Sequence, residues 1–407
     1  MWSEVETSLV FAETSGHRLS ERRRREDPRI LCVADDAYAM PLAVTLSSAA
    51  RQLRPGAELQ VYLVDAGIRE TNWMGLKETL VDCPIRLHRL TFDATRLNHL
   101  PISHHISHAA YVRLLAADLL PTDVGRVLYL DSDLLIRADL TALWETPLEG
   151  AWCLAVPDIA CPYVDTRRAN CNLRDAAPYL ATLTPIRNWQ QLGLNPGDHY
   201  FNSGVMVIDL DAWRREGLAS RFLACLAANE RSIWCWDQYA LNAVMAGHWR
   251  RLPLRWNVGS HAYEYPSPRA APLPREEFAE ALADPAIVHF TSEFKPWRFG
   301  TRHPQATAFY QALQQTAWRD WRPTQPKWSA RAACDRWGMQ VQRGATIAWR
   351  SLGSRWRGAA QTTAAVSCVP VAQIASPSRG HASGSRAASS WPTSSASVTQ
   401  ASREANP

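Results

Sequence analysis

The sequence predicts an α/β protein built on a mixed, mostly parallel sheet flanked by helices. From Ile30 onward, short β-branched and apolar runs alternate with helix-like segments, the pattern of strand, crossover and strand. The most apolar run, Val127-Leu-Tyr-Leu130, reads as a strand buried on both faces. Hydrophobic residues make up 46% of the 407 residues and charged residues 20%, enough apolar material for a large core.

The first strand is Ile30 to Ala34, ending in Asp35-Asp36. A helix is expected from Pro41 to Leu53, because proline suits a first turn and Pro55-Gly56 stops the run. Leu59 to Val64 is a strand, Glu70 to Leu80 a helix and Ile85 to Leu90 a third strand. His108 to Leu119 reads as a helix, and Pro121 to Gly125 as the turn before Val127. Further strands are expected at Trp152 to Val156, Val205 to Leu210 and Ile287 to Phe290, with helices at Ala212 to Ala228 and Gln238 to Ala246. Pro266, Pro268, Pro272 and Pro274 mark an irregular excursion.

Residues 1–29, which include the run Arg22 to Arg25, read as a solvated leader, and residues 30–317 as the α/β domain. Residues 318–358 hold six of the 18 tryptophans, nine Lys or Arg and two acids. This basic, Trp-rich segment suits an anionic membrane surface, or its indoles pack on the preceding domain. In residues 359–407, 23 of 49 positions are Ser or Ala without apolar periodicity, the composition of a disordered tail. A net charge of +5 is too slight to argue for nucleic acid, and none is expected. The nine cysteines contain no C-x-x-C pair, favouring a reducing compartment without structural zinc. No 18-residue apolar run occurs, and the leader lacks the apolar stretch of a signal peptide. A cytoplasmic location follows, peripheral on the inner membrane face if the Trp-rich segment anchors the chain.

Asp131-Ser132-Asp133 directly follows the most apolar strand, and ligands of open α/β sheets bind beyond the carboxyl ends of strands. Two carboxylates one residue apart can share a hard divalent cation; solvated loop acids are the bland alternative. At the first strand end, Val33 to Tyr38 offers small residues and a stacking ring, though Asp36 could merely cap the next helix. Tyr200-Phe-Asn-Ser-Gly-Val205 reads as a small-residue turn before a strand, bringing Asn202 to a ligand or using its amide for the turn. Asp237-Gln238 opens a helix, where Asp237 could be a plain N-cap. His289 ends a strand and precedes Lys295-Pro-Trp297; it is either a ligand or a satisfied core histidine.

Taken together, Ala34 to Tyr38, His105-Ile-Ser107, Tyr111-Val-Arg-Leu114, Leu128 to Asp133, Phe201 to Val205, Asp237-Gln238 and His289 to Trp297 closely resemble glycosyltransferase family 8 over Ile30 to Trp318. The resemblance implies a GT-A type nucleotide-diphospho-sugar transferase fold, a UDP-sugar donor, Mn²⁺ or Mg²⁺, and a saccharide acceptor such as lipopolysaccharide. It implies Asp131, Asp133 and His289 as metal ligands. Val33, Asp35, Asp36, Tyr38, His105, Ser132 and Lys295 would bind the nucleotide, with Lys295 on the diphosphate. Arg113, Asn202, Ser203, Asp237 and Gln238 would line the sugar. Asp158, with Asp237 and Gln238, would lie at the reacting centre. Ala37 and Ser292 depart from the family's usual Asn and Gly.

The implied reaction moves a galactose or glucose unit with retention, by a covalent intermediate or by front-side attack. Gln238 is a neutral amide and a poor nucleophile, which favours the second route. A haloacid-dehalogenase-like phosphatase also ends a strand with D-x-D, but that motif opens its domain, and here a full α/β segment precedes it. A non-catalytic sugar-nucleotide binding module is the remaining alternative.

Overall fold

A computed structural model describes residues 27–97, 109–170, 172–291, 295–301 and 303–324. Its main sheet has seven strands: β1 (Arg29–Ala34), β2 (Leu59–Asp65), β3 (Ile85–Leu90), β4 (Arg126–Leu130), β6 (Cys153–Pro157), β7 (Phe201–Asp209) and β8 (Trp249–Arg251). They run in the order β3-β2-β1-β4-β7-β6-β8. The first four are mutually parallel, β7 is antiparallel to both its neighbours, and β6 and β8 are parallel. A second sheet joins β5 (Leu134–Ile136), β10 (Ile287–His289) and β9 (Val258–Gly259), with β10 in the middle.

The apolar runs lack polar alternation because both faces of the main sheet are covered. Ile30, Cys32 and Ala34 point to the side packed by helices Ala39–Gln52 and Glu70–Leu80, through Leu42, Leu46, Trp73 and Leu76. Leu31 and Val33 point to the other side, against Tyr111, Leu114, Leu115, Trp213 and Phe222. Since β1 lies between β2 and β4, the chain reverses its direction of winding between β1 and β4, and a crevice opens at their carboxyl ends.

Several expectations are corrected in detail. The helix expected over Ala212 to Ala228 is two helices, Leu210–Arg215 and Leu218–Ala228, because Gly217 takes φ +59°, a conformation that ends the first. His108 to Leu119 is likewise split, with a tight turn at Arg113–Leu115 between helices Ala109–Val112 and Ala116–Leu119. Phe201 to Val205 is strand and not turn: β7 begins at Phe201, where the Asn242 amide bonds both the N–H and the carbonyl of that residue at 2.8 and 2.9 Å. Its pairing with β6 jumps from Met206 opposite Ala155 to Asn202 opposite Val156, so Ser203, Gly204 and Val205 bulge out. The short strands β5, β8 and β9 carry too few residues to show a period.

Trp318 and Trp321 pack against the domain, in the group that includes Phe290, Phe309 and Leu313, and Trp318 also touches the core around Leu42, Leu46 and Leu76. The other four tryptophans of 318–358, the leader through residue 26 and the tail lie outside the described residues. Among the described residues no helix is long and apolar enough to cross a membrane, and six cysteines are free.

Candidate active site

The turn after β4 carries the site, and three side chains and one backbone carbonyl fix it. Ser132 Oγ donates to the Val33 carbonyl at 2.6 Å, tying the ends of β4 and β1 together. From helix Ala39–Gln52, Thr45 Oγ1 accepts from the Leu134 N–H at 3.0 Å, and Ser48 Oγ accepts from that of Ile136 at 3.1 Å. The bulge in β7 supplies the Gly204 carbonyl, which accepts from the Asp131 N–H at 2.9 Å. Asp131 and Asp133 are therefore held by backbone that cannot slide.

His289 at the end of β10 closes the cluster. Its Nε2 lies 3.2 Å from Asp133 Oδ1 and 3.6 Å from Asp131 Oδ2. One ligand atom from each of the three residues falls within 4.8 Å of the others. A Cβ on Gly204 would sit 2.6 Å from Asp131 Oδ2 and 2.9 Å from His289 Nδ1, so only glycine leaves this space. Two carboxylates and one imidazole are a donor set suited to Mn²⁺ or a similar divalent cation, and the cradle at Gly204 fits such an ion.

Charges are balanced in pairs around this cluster. Lys295 Nζ bonds Asp133 Oδ2 at 2.5 Å and also donates to the Phe290 carbonyl. Burial works to raise the Asp133 carboxyl, but Lys295 and His289 outweigh it and hold the group well below the usual range. On the other flank Arg113 reaches Asp131 Oδ1 at 2.9 Å and Asp237 Oδ2 at 3.1 Å, and donates to Ser203 O and Oγ at 3.0 and 3.1 Å. Its guanidinium also lies 4.5 Å from the centroid of the Tyr129 ring. Burial opposes the Arg113 charge, yet Asp131 and Asp237 raise its pKa. Asp237 itself is pushed up by burial, against the pull of Arg113.

The remaining polar groups form a chain behind the cluster. His289 Nδ1 meets Asn257 Oδ1 at 2.9 Å, Asn257 Nδ2 donates to Asn202 Oδ1 at 2.9 Å, and Asn202 Nδ2 donates to Asp158 Oδ2 at 3.1 Å. Gln238 Nε2 donates to the same Asp158 oxygen at 2.9 Å, while its Oε1 accepts from the Ser203 N–H at 3.0 Å. Ser203 Oγ is 3.2 Å from Asp237 Oδ2, which completes a ring back to Arg113 and Asp131. Asp131, Ser132, Asp133, Asp158, Asn202, Ser203, Asp237, Gln238, His289 and Lys295 thus share one connected site.

Other expected site residues are placed differently. Asp36 is committed to structure: its carboxylate accepts from the Arg69 N–H at 2.9 Å, from Asn72 Nδ2 at 2.8 Å and from Arg69 Nε at 2.6 Å, at the start of helix Glu70–Leu80. The residue that caps the turn after β1 is Asp35, accepting from the Tyr38 N–H at 3.1 Å. Tyr38 meets Trp297 edge-on at 6.3 Å, and burial, then Asp133, pushes its hydroxyl up. Arg113 is buried, and each of its three nitrogens meets a protein acceptor, making it a strut between carboxylates and not an open sugar contact. Asp237 occupies the first turn of helix Trp236–Val244, whose N-cap is Cys235, so it is an Arg113 partner and not a cap. His105 lies outside the described residues. Asn257 was not anticipated: a single Asn before a two-residue strand shows no pattern.

The family model for Glycosyl transferase family 8 matches residues 29–301, two thirds of the chain and all of this site. The chain belongs to glycosyltransferase family 8. This glycosyltransferase is 28% identical to General stress protein A of Bacillus subtilis over 299 residues, 73% of this chain and 96% of that protein. It is also 28% identical to a lipopolysaccharide 1,2-glucosyltransferase of Escherichia coli K12, over 60% of this chain and 64% of the relative. Among solved structures, the galactosyltransferase LgtC in complex with donor and acceptor sugar analogues superposes with a TM-score of 0.59 at 25% identity, over 74% of this chain and 98% of that one. The GT-A fold of the family 8 enzymes is thereby established for this chain.

Proposed function

We propose that this family 8 enzyme transfers galactose or glucose from a UDP-sugar to a saccharide acceptor, lipopolysaccharide or another cell-surface glycan, with retention of configuration. The observation that carries it is the convergence of Asp131, Asp133 and His289 at the switch-point crevice, backed by Asp158 and Gln238. A divalent cation held by the first three, Mn²⁺ in the leading case, would neutralise the diphosphate as it departs. Lys295, whose ammonium lies against Asp133 beside this cluster, would supply a second cation for the diphosphate. Asp35 and Tyr38, at the end of β1 across from the cluster, are assigned to the uridine.

Front-side attack is favoured by what surrounds the two available carboxylates. Asp158 Oδ2 accepts from both Asn202 and Gln238, which lowers its nucleophilicity, and Asp237 is buried against Arg113. These groups are better suited to stabilise positive charge at the anomeric carbon than to bond it. A panel of UDP-sugars tests the proposal: UDP release from UDP-galactose or UDP-glucose that needs Mn²⁺ and stops in chelator is expected. Failure of every UDP-hexose would overturn it in favour of a binding module.

We also propose a cytoplasmic enzyme held at the inner membrane face. Trp318 and Trp321 are occupied by the domain, so the anchoring role falls to Trp328, Trp337, Trp349 and Trp356 with the seven Lys and Arg of residues 325–358. A chain ending at residue 324 should keep UDP-sugar hydrolysis and lose sedimentation with anionic liposomes; failure of the full chain to sediment at low salt would refute anchoring.

A further inference from the structure

We infer that Asn257 is a positioning residue that selects the tautomer of His289, leaving the Nε2 lone pair for the cation; the inference rests on the metal reading above. A backbone N–H fixes the orientation of the whole row of amides. The Gly204 backbone N–H can only donate, and it meets Asn202 Oδ1 at 3.0 Å. The opposite end of that amide, Nδ2, therefore donates to Asp158 Oδ2 at 3.1 Å. Both ends of the Asn202 amide are thereby oriented. Its oxygen then requires a donor from Asn257, which must turn Nδ2 toward it at 2.9 Å. The other end of the same amide, Oδ1, consequently faces His289 Nδ1 at 2.9 Å.

A carbonyl oxygen accepts only, so Nδ1 carries a proton, and in the cation-loaded site an imidazole that ligates through Nε2 carries no other. Nε2 is left as an electron pair aimed at the space beside Asp133 Oδ1, 3.2 Å away, and Asp131 Oδ2, 3.6 Å away. His289 and Asn257 are 4% exposed, so water does not substitute readily for the amide. The same relay ends on Asp158, so the ligand orientation and the carboxylate at the sugar end of the site depend on one row of amides.

The test compares Mn²⁺ affinity and histidine tautomer in the full chain. Asn257→Leu removes the acceptor and should weaken Mn²⁺ binding by roughly 10- to 100-fold, the usual range for loss of a partner behind a ligating histidine. Asn257→Asp keeps an acceptor for Nδ1 and should restore binding close to that of the unaltered protein, although it cannot donate to Asn202. In ¹⁵N-histidine protein loaded with diamagnetic Cd²⁺, two-bond ¹H–¹⁵N spectra should place the His289 proton on Nδ1. That spectrum uses the unaltered chain and so survives any folding defect of the Leu variant. A proton on Nε2, or unchanged Mn²⁺ affinity in Asn257→Leu while His289→Ala weakens it, would overturn the inference alone. Unchanged affinity in His289→Ala would remove the metal reading and the inference together.

Discussion

Gly204→Ala probes the site through its tightest contact. The added methyl would collide most closely with His289 Cε1 and lie 2.6 Å from Asp131 Oδ2 and 2.9 Å from His289 Nδ1, whereas heavy atoms rest comfortably at about 3.5–4.0 Å. One or both ligands must therefore retreat by roughly 1 Å. The backbone cannot yield instead, because β7 lies between β4 and β6, and the Gly204 carbonyl is bonded to the Asp131 N–H. Metal–ligand distances tolerate only about 0.2 Å of error, so the substitution should displace one of three ligands. We expect Mn²⁺ affinity to fall about 100-fold, or ~2.8 kcal/mol, and stability to fall by ~1–3 kcal/mol from overpacking. Calorimetric Mn²⁺ titration, UDP release as a function of Mn²⁺ concentration, and a thermal melt separate the two effects. A Gly204→Ala protein that binds Mn²⁺ and turns over like the original would show that the cation does not sit between Asp131 and His289.

Gln238→Ala should lower turnover far more than UDP affinity, because the amide bonds Asp158 and the Ser203 N–H and not the metal cluster; equal weakening of UDP binding would move it to the nucleotide side. Arg113→Met should destabilise the fold by ~3–5 kcal/mol by stranding Asp131 and Asp237, and Arg113→Lys should not rescue it, since one ammonium cannot span both carboxylates and Ser203; a urea melt with no change refutes the strut. Burial, then the Lys295 charge, lowers the pKa of His303 to about 4. The unfolded chain therefore binds the extra proton first as pH falls, so this contribution is complete above the unfolded pKa of 6.5 and drains away between 6.5 and about 4. Its size is roughly 3 kcal/mol, and the stability difference between pH 7.5 and 4.5 should shrink by a comparable amount in His303→Gln; an identical difference in both proteins excludes a neutral buried imidazole. Trp318→Ala should cost ~2 kcal/mol by emptying the space against Gly75, whose Cα leaves room for the indole; an unchanged melting temperature would return Trp318 to the surface.

What the sequence makes legible follows from the range over which each feature is determined. The strands β1 and β4 are readable because burial on both faces leaves an unbroken apolar run, and the acids after β4 stand out because they end such a run. The Asp35–Asp36 pair shows the limit of that reasoning. Both look equally able to cap or to bind, and their roles are separated only by Arg69 and Asn72, more than thirty residues on. Arg113 is similar: the family resemblance implies a sugar contact, and only the fold shows the two carboxylates beside it. The stretch Tyr200 to Val205 misleads for another reason. Small residues usually mark a turn, but here they allow a bulged strand to approach the carboxylates, so the composition is correct for close approach and wrong for chain reversal. Asn257 sits at the far end of this scale. Its partners, His289 and Asn202, are 32 and 55 residues away, and nothing local distinguishes it from any loop amide. A site whose ligands lie at strand ends can thus be located from sequence, whereas the groups that orient those ligands emerge only when the fold brings distant amides into one row.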